Sequence, residues 1–294
     1  MTGPPELRIS WSSLRGHQEC RNRTGLLRAG KRSPMSDIRV FFPGTVADRV
    51  MREWLDDPEH PPGGMERMVS EIMDREEALA KENGDGVVRW RNRADRTTVL
   101  EFCTELASRF EPFLRTEVLP YPFAVAQRFK VPVNIPYLDG TPRTIYLTGE
   151  TDIEVFPTPS TMRVWDLKAT ADASYHRKVI GQMVFYALTG LLRFPERSVE
   201  YVGIVQPMCP VQNLRWEVTE QQRAEIMAAV IQMATDIWSK WFPLADATSV
   251  CWNCPVKPSC ERYSPQSLIK SRLSLGEMLK VGSCLLYTSD AADE

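Results

Sequence analysis

Hydrophobic residues recur at helical spacing through the first third of the chain and at a spacing of two through its middle. "ISWSSLRGHQECRNRTGLL" reads as a serine-capped helix that presents Cys20 near its end. In "RVFFPGTVADRVMREWLDD" a Pro-Gly turn leads into an amphipathic helix whose apolar stripe is Val46, Val50, Met51, Trp54 and Leu55. "HPPGG" breaks the pattern. Residues 65–82 and 95–114 read as two further helices, with "NGDG" as a turn between them. From Phe123 the period becomes strand-like. "FAVAQRFKVPVNI", "RTIYLTGETDIEVF" and "TMRVWDLKA" are three predicted strands, joined by turns at "YLDGTP" and "PTPS". A helix ("SYHRKVIGQMVFYALTGLLRF"), a fourth strand ("SVEYVGIVQP") and a long helix ("EQQRAEIMAAVIQMATDIWSKWF") follow. That order predicts one α/β domain: a mixed central sheet flanked by helices, with additional N-terminal helices before it and a C-terminal cysteine-rich segment behind it.

Composition narrows this picture only a little. With 294 residues, 43% hydrophobic and 25% charged, the chain is ordinary globular material. The net charge of −2 excludes a wholly basic, DNA-coating protein, but it hides an asymmetry. Up to Arg32, seven basic residues (Arg8, Arg15, Arg21, Arg23, Arg28, Lys31 and Arg32) stand against Glu6 and Glu19. Such a face suits phosphate, or is simply solvated. No apolar run approaches the roughly 18 residues of a membrane span, and no signal-peptide core is seen, so the expected setting is cytoplasmic, away from membranes. Seven cysteines there argue for metal ligation or core packing over a disulfide framework.

Charges in "GETDIEVFPTPSTMRVWDLKAT", residues 149–170, stand where strands enter a core and need none. Asp152 falls early on one predicted strand. Asp166 and Lys168, two apart at the end of the next, share a face. As hairpin neighbours these strands bring two carboxylates and an ammonium to one end of the sheet. Close carboxylates repel and raise a pKa unless a cation lies between them. Hard oxygen ligands suit Mg²⁺ or Mn²⁺. Lys168 then has a task, to hold and polarise a water for attack on phosphorus. A surface Asp–Lys salt bridge is the plainer origin of an isolated triplet. The apolar run into the charges favours chemistry, as do Gln182 and Tyr186, four apart on one face of the following helix.

Together, "GETD", "VWDLKAT" and "GQMVFYAL" resemble the Gly-x-x-Asp, D/E-x-K and Q-x-x-x-Y motifs of the RecB-like branch of the PD-(D/E)XK nuclease superfamily. That resemblance implies a restriction-endonuclease-like core. It implies Asp152 and Asp166 as ligands of Mg²⁺ or Mn²⁺, the carbonyl of Leu167 as a further ligand and Lys168 as the water-positioning base. Gln182 and Tyr186 would line the DNA side. The family's N-terminal helix carries Gly-x-x-x-His, whose histidine is another ligand; here "PGTVADRV" holds Asp48 in that place. Asp48 is therefore the corresponding candidate ligand, the alternative being a helix-start acid at the favourable end of the dipole.

Cys251, Cys254 and Cys260 form C-x2-C-x5-C in "CWNCPVKPSC", a proline-broken loop with no apolar period. Three thiolates so close point to a metal, and zinc and a 4Fe–4S cluster both accept four thiolates. The pattern resembles an iron–sulfur subgroup of RecB-like nucleases, including AddB-type and CRISPR-adaptation exonucleases. In these, one cysteine ahead of the core joins a C-terminal C-x2-C-x5-C around a 4Fe–4S cluster. The resemblance implies Cys20, in "SSLRGHQEC", as the fourth ligand; Cys103, in "LEFCTELASRF", is its rival, and its neighbours Leu100, Phe102, Leu106 and Phe110 mark a core helix. Cys209 reads as a buried or loop thiol. On this pattern residues 1–280 are a single nuclease domain. It comprises a first-cysteine helix over 9–35, a helical region over 36–115, the nuclease core over 120–245 and the iron–sulfur segment over 249–263. Residues 281–294 resemble a translated read-through tail, so no role is expected of Cys284.

The expected function is a stand-alone, metal-dependent DNA exonuclease acting on single strands or duplex ends. It is similar to phage-encoded members that serve DNA recombination, repair or processing. No G-x-x-x-x-G-K-[ST] loop occurs, so no helicase motor is expected in this chain. Two other classes stay open on the sequence. One is a catalytically weak DNA-binding or CRISPR-adaptation-type partner. The other is a zinc-binding interaction protein in which D-x-K is coincidence.

Overall fold

The structure, a computed structural model, describes residues 6–31, 42–57, 59–83, 93–137, 140–170, 172, 175–209, 213–243, 254, 256 and 259–260. In chain order the elements are β1 (Arg8–Ile9), α1 (Trp11–Glu19), α2 (Arg21–Arg28), α3 (Phe42–Asp56), α4 (Gly64–Asn83), α5 (Arg93–Glu117) and β2 (Phe123–Pro136). Then come β3 (Pro142–Thr158), β4 (Thr161–Leu167), α6 (Tyr175–Arg193), β5 (Ser198–Val205), β6 (Asn213–Trp216) and α7 (Glu220–Ser239). Two compact units result: Met1–Leu14 with Met35–Asp236, and Arg15–Pro34 with Ile237–Glu294. Among the described residues no helix is long and apolar enough to cross a membrane.

The first unit holds the predicted mixed sheet. Its strand order is β1-β3-β4-β5-β6, with β2 also paired to β3. β2, β3 and β4 run antiparallel in sequence, as the two turns predict. β4 and β5 are parallel, so α6 is the crossover between them. β3 is long enough for one edge to serve two partners, β1 at Tyr146 and Leu147 and β4 from Ile153 onward. Neither β1, two residues long, nor β6, four, was predicted, because pairing rather than pattern defines strands this short.

Helix α3 starts at Phe42 and absorbs the predicted Pro-Gly turn into its first turn. Pro43 is tolerated there because the first turn's N–H groups have no helical acceptor. The predicted stripe of Val46, Val50, Met51, Trp54 and Leu55 is buried in one cluster with Val69, Met73 and Phe110 of α4 and α5. The sheet contributes Ile153, Val155 and Trp165 to the same cluster. Phe113 meets Trp165 edge-on, ring centroids 4.8 Å apart. Each large side chain buried there contributes about 2–3 kcal/mol of transfer free energy. The "NGDG" turn beyond Asn83 and most of "VVRWRNR" lie outside the described residues. At the start of α1, Ser13 N–H donates to Ser10 Oγ (3.3 Å) and Ser10 N–H to Ser13 Oγ (2.9 Å), a reciprocal cap.

In the second unit the expected single helix around Cys20 is two. α1 ends at Glu19, and Cys20 is extended (φ −162°, ψ 109°) as the residue that opens α2. Its carbonyl accepts Arg23 N–H at 3.1 Å, which restarts the helical ladder. The buried His17 and Thr24 join the two helices, His17 Nδ1 lying 3.2 Å from Thr24 Oγ1. The chain's later segment packs on α2. Asn22 N–H donates to the Pro243 carbonyl (3.0 Å), Arg21 stacks 4.5 Å over the Trp241 ring, and Phe242 lies against Gly25.

Candidate active site

Asp152 and Asp166 are brought face to face by the β3–β4 register. Ile153 pairs with Trp165, and one step further on each strand stand the two aspartates. Leu167 N–H crosses back to donate to Asp152 Oδ2 at 2.7 Å. Asp166 is 1% exposed, and the ammonium of Lys168 forms an ion pair with its Oδ2. Lys168 is the first residue beyond β4; its N–H donates to the Val205 carbonyl (2.9 Å), so β5 fixes its backbone. Asp152 lies well inside β3, not early on it, because that strand begins at Pro142.

A break in the alternation of β3 accommodates these charges. Thr151 and Glu154 are each 1% exposed and hydrogen-bonded at 2.8 Å. Residues three apart in a regular strand point to opposite faces, so the strand changes phase between them, at Asp152. Across the ladder, Val125 pairs with Ile153 and Gln127 with Thr151, while Ala126 and Asp152 drop out of pairing. Ala126 has φ 53°, a left-handed conformation that costs a non-glycine residue about 1–2 kcal/mol. Gly149, the glycine of "GETD", is needed close by: a Cβ there would lie 2.7 Å from Phe129 Cζ. The Phe129 ring in turn stands edge-on to Tyr186, centroids 6.3 Å apart.

From α6, Gln182 Nε2 donates to Asp166 Oδ1 (3.1 Å) and to the Tyr186 hydroxyl (2.8 Å). Tyr186 Oη–H donates to the Glu150 carbonyl (2.8 Å). The two residues were expected to line the DNA side. Tyr186 is only 7% exposed and Gln182 half-buried, and both brace Asp166 and β3. The helix spacing that puts them on one face does not say which way that face turns.

Burial raises the pKa of Asp166, against the lowering effect of Lys168. Asp152 keeps some solvent contact, yet protein atoms surround its carboxylate densely enough for desolvation to dominate. Desolvation first, and the charge of Asp166 second, push it up to about 8, against Lys168 and the Leu167 N–H. Asp166 Oδ2 is buried against the Lys168 ammonium and has no other polar partner among the described residues. Two crowded, desolvated carboxylates are hard oxygen donors that fit a divalent cation. Asp48 is engaged elsewhere. Its Oδ2 takes Arg52 Nη2 at 2.8 Å, and the same Nη2 reaches Glu150 Oε1 at 2.5 Å. Burial raises Asp48's pKa, with Arg52 opposing, and Asp48 is near enough to Asp152 to raise it slightly. Among the described residues no three His, Cys, Asp or Glu side chains form a metal-holding group. Arg52 and Glu150 were missed in the sequence. The signal for the first was its i, i+4 spacing from Asp48, and for the second its place inside "GETD".

The thiols divide by surroundings. Cys103 is buried, its Sγ 4.0 Å from the Pro43 carbonyl, and burial pushes its pKa up to about 12. Cys209 is buried too. Cys20 and Cys254 are half-buried, and the buried Cys260 receives a hydrogen bond on Sγ from Asn22 Nδ2 at 3.6 Å. Cys251 and residues 281–294 lie outside the described residues.

A family model for the PD-(D/E)XK nuclease superfamily matches residues 8–261. No curated protein matches the chain. One solved structure, titled "Crystal structure of SSO0001", aligns over 88% of this chain and 88% of that one at 11% identity, with a TM-score of 0.40. A likeness that slight bears on neither fold detail nor function.

Proposed function

The chain belongs to the PD-(D/E)XK nuclease superfamily, and on that premise we propose that it is a RecB-like, Mg²⁺- or Mn²⁺-dependent DNA exonuclease. Its restriction-endonuclease-like core is the mixed sheet with flanking helices described above. The observation that carries the proposal is the meeting of Asp152, Asp166 and Lys168 across β3 and β4. Asp152, Asp166 and the Leu167 carbonyl would hold the ion, which when bound supplies Lewis acidity toward water and the scissile phosphate. The chain's own residues do the rest. Gln182 fixes the rotamer of Asp166, and Tyr186 fixes Gln182 by anchoring on the Glu150 carbonyl. Lys168 is ion-paired with Asp166. It orients the attacking water and offsets negative charge as the phosphorus is attacked.

Expected substrates are single strands or duplex ends, in phage-type recombination, repair or processing within the host cytoplasm. End-labelled DNA should be shortened with Mg²⁺ or Mn²⁺ and left intact in EDTA. Asp166→Ala should cost several orders of magnitude in rate while DNA is still bound. Near-normal cleavage by that variant, free of contaminating nuclease, would overturn the proposal.

We further propose a 4Fe–4S cluster on Cys20, Cys251, Cys254 and Cys260. Support comes from the second unit, where Asn22, two residues past Cys20, bonds both the Pro243 carbonyl and Cys260 Sγ. Purified protein should be brown; a colourless protein with stoichiometric zinc would favour the zinc alternative.

A further inference from the structure

Helix α3 carries Asp48 and Arg52 one turn apart on one face. Through Arg52 that helix is tied to β3 two residues before Asp152. One Nη2 atom serves both Asp48 Oδ2 (2.8 Å) and Glu150 Oε1 (2.5 Å). Glu150 is gripped from its other oxygen by Arg128 Nε at 2.7 Å, an arginine whose side chain is 87% exposed. Arg52 Nε is buried and has no hydrogen-bond partner among the described residues.

We propose that Arg52 is a positioning residue that holds Asp48 as a counter-ion in the metal-free protein and releases it when a divalent cation loads. The proposal rests on the nuclease assignment above. A dication held by Asp152 and Asp166 would repel the Arg52 guanidinium and attract the Asp48 carboxylate, so loading would loosen the Asp48–Arg52 pair. Glu150 keeps the guanidinium in place after that loosening, itself held by Arg128. Arg52 therefore lowers the apparent affinity for the ion by the fraction of molecules in which Asp48 is still paired.

Calorimetric Mn²⁺ titration of the full chain tests this, with Arg52→Gln, Asp48→Asn and the double variant beside wild type. Arg52→Gln should bind Mn²⁺ roughly tenfold more tightly, since a nearby positive charge and a competitor for Asp48 are both gone. With Asp48→Asn already present, the same change should gain markedly less, because only the through-space charge effect is left. Arg52→Lys keeps the charge and loses the fork that spans two carboxylates, so it should gain less than Arg52→Gln but in the same direction. Unchanged or weaker binding by Arg52→Gln or Arg52→Lys overturns the proposal. So does an equal gain in both Asp48 backgrounds. A folded wild-type protein that binds no Mn²⁺ overturns the nuclease assignment and this proposal together; wild-type binding with no response at Arg52 overturns this proposal alone.

Discussion

Replacing Asp152 with Asn should make the metal-free protein more stable and its metal site useless. The folded protein raises Asp152 from 3.8 to about 8, first by desolvation and then by the charge of Asp166. A carboxyl raised on folding is bound more tightly to its proton in the folded state. Its contribution is therefore favourable below its ordinary value and is lost as pH climbs from about 4 towards 8. Above that window the folded protein carries the full penalty of the charge. At 1.36 kcal/mol per pH unit the ceiling is about 6 kcal/mol. Relaxation and water entry bring the expected gain in Asp152→Asn to about 2–3 kcal/mol at pH 8. The amide oxygen can still accept the Leu167 N–H, so the hydrogen bond at 2.7 Å need not be lost. For a chain of this size the gain is a rise of roughly 5–10 °C in melting temperature. The assay is thermal unfolding in EDTA at pH 5 and pH 8, for wild type and variant. The variant should melt well above wild type at pH 8 and close to it at pH 5. Added Mn²⁺ should stabilise wild type only, by mass action on the ionised pair. Equal melting temperatures at pH 8, or a variant still stabilised by Mn²⁺, would refute the reasoning.

Lys168→Ala should abolish turnover while Mn²⁺ affinity stays level or rises, because a neighbouring positive charge is removed; calorimetry showing a lost metal site would make Lys168 structural instead. Gly149→Ala drives a methyl to within 2.7 Å of the Phe129 ring, so it should cost about 1–3 kcal/mol, read as a lower denaturation midpoint. An unchanged midpoint would mean that Phe129 is free to move. Cys20→Ala should bleach the thiolate-to-iron absorbance near roughly 400 nm and expose the C-terminal segment to protease, whereas Cys103→Ala, deep in the helical core, should cost only packing. Bleaching by Cys103→Ala alone would move the fourth ligand.

Helices α3 to α5 were legible because a stripe such as Val46, Val50, Met51 and Trp54 has one physical use, burial against a neighbour. β2, β3, β4 and the crossover helix α6 were legible because the period switches and turn residues mark each joint. The mutual approach of Asp152, Asp166 and Lys168 followed from a hairpin and a two-residue spacing. What was not legible depends on partners rather than pattern. β1 exists because Tyr146 N–H finds the Leu7 carbonyl. The helix break at Cys20 leaves no mark in hydrophobic spacing. The bridge from Asp48 through Arg52 to Glu150 joins residues 98 apart in sequence, and no local rule connects them.

The phase change at Asp152 is the least legible feature and the one that organises the site. A regular strand carrying "GETDIEVF" would send Thr151 and Glu154 to opposite faces. Here both are buried on one face, where Arg193 of α6 holds Glu154 through two nitrogen–oxygen contacts, at 2.5 and 3.2 Å. That buried pair fastens β3 to α6 on the far side of the break. On the near side Glu150 is fastened at its carboxylate by Arg52 of α3 and Arg128 of β2, and at its carbonyl by Tyr186 of α6. Asp152 thus stands between two clamped segments and outside the ladder to β2, with Ala126 opposite absorbing the strain. A carboxylate in that position is desolvated by what surrounds it, with the Leu167 N–H on its Oδ2. That leaves one aspartate high in pKa opposite a second that is buried against the Lys168 ammonium, two hard oxygen donors of the kind a divalent cation takes.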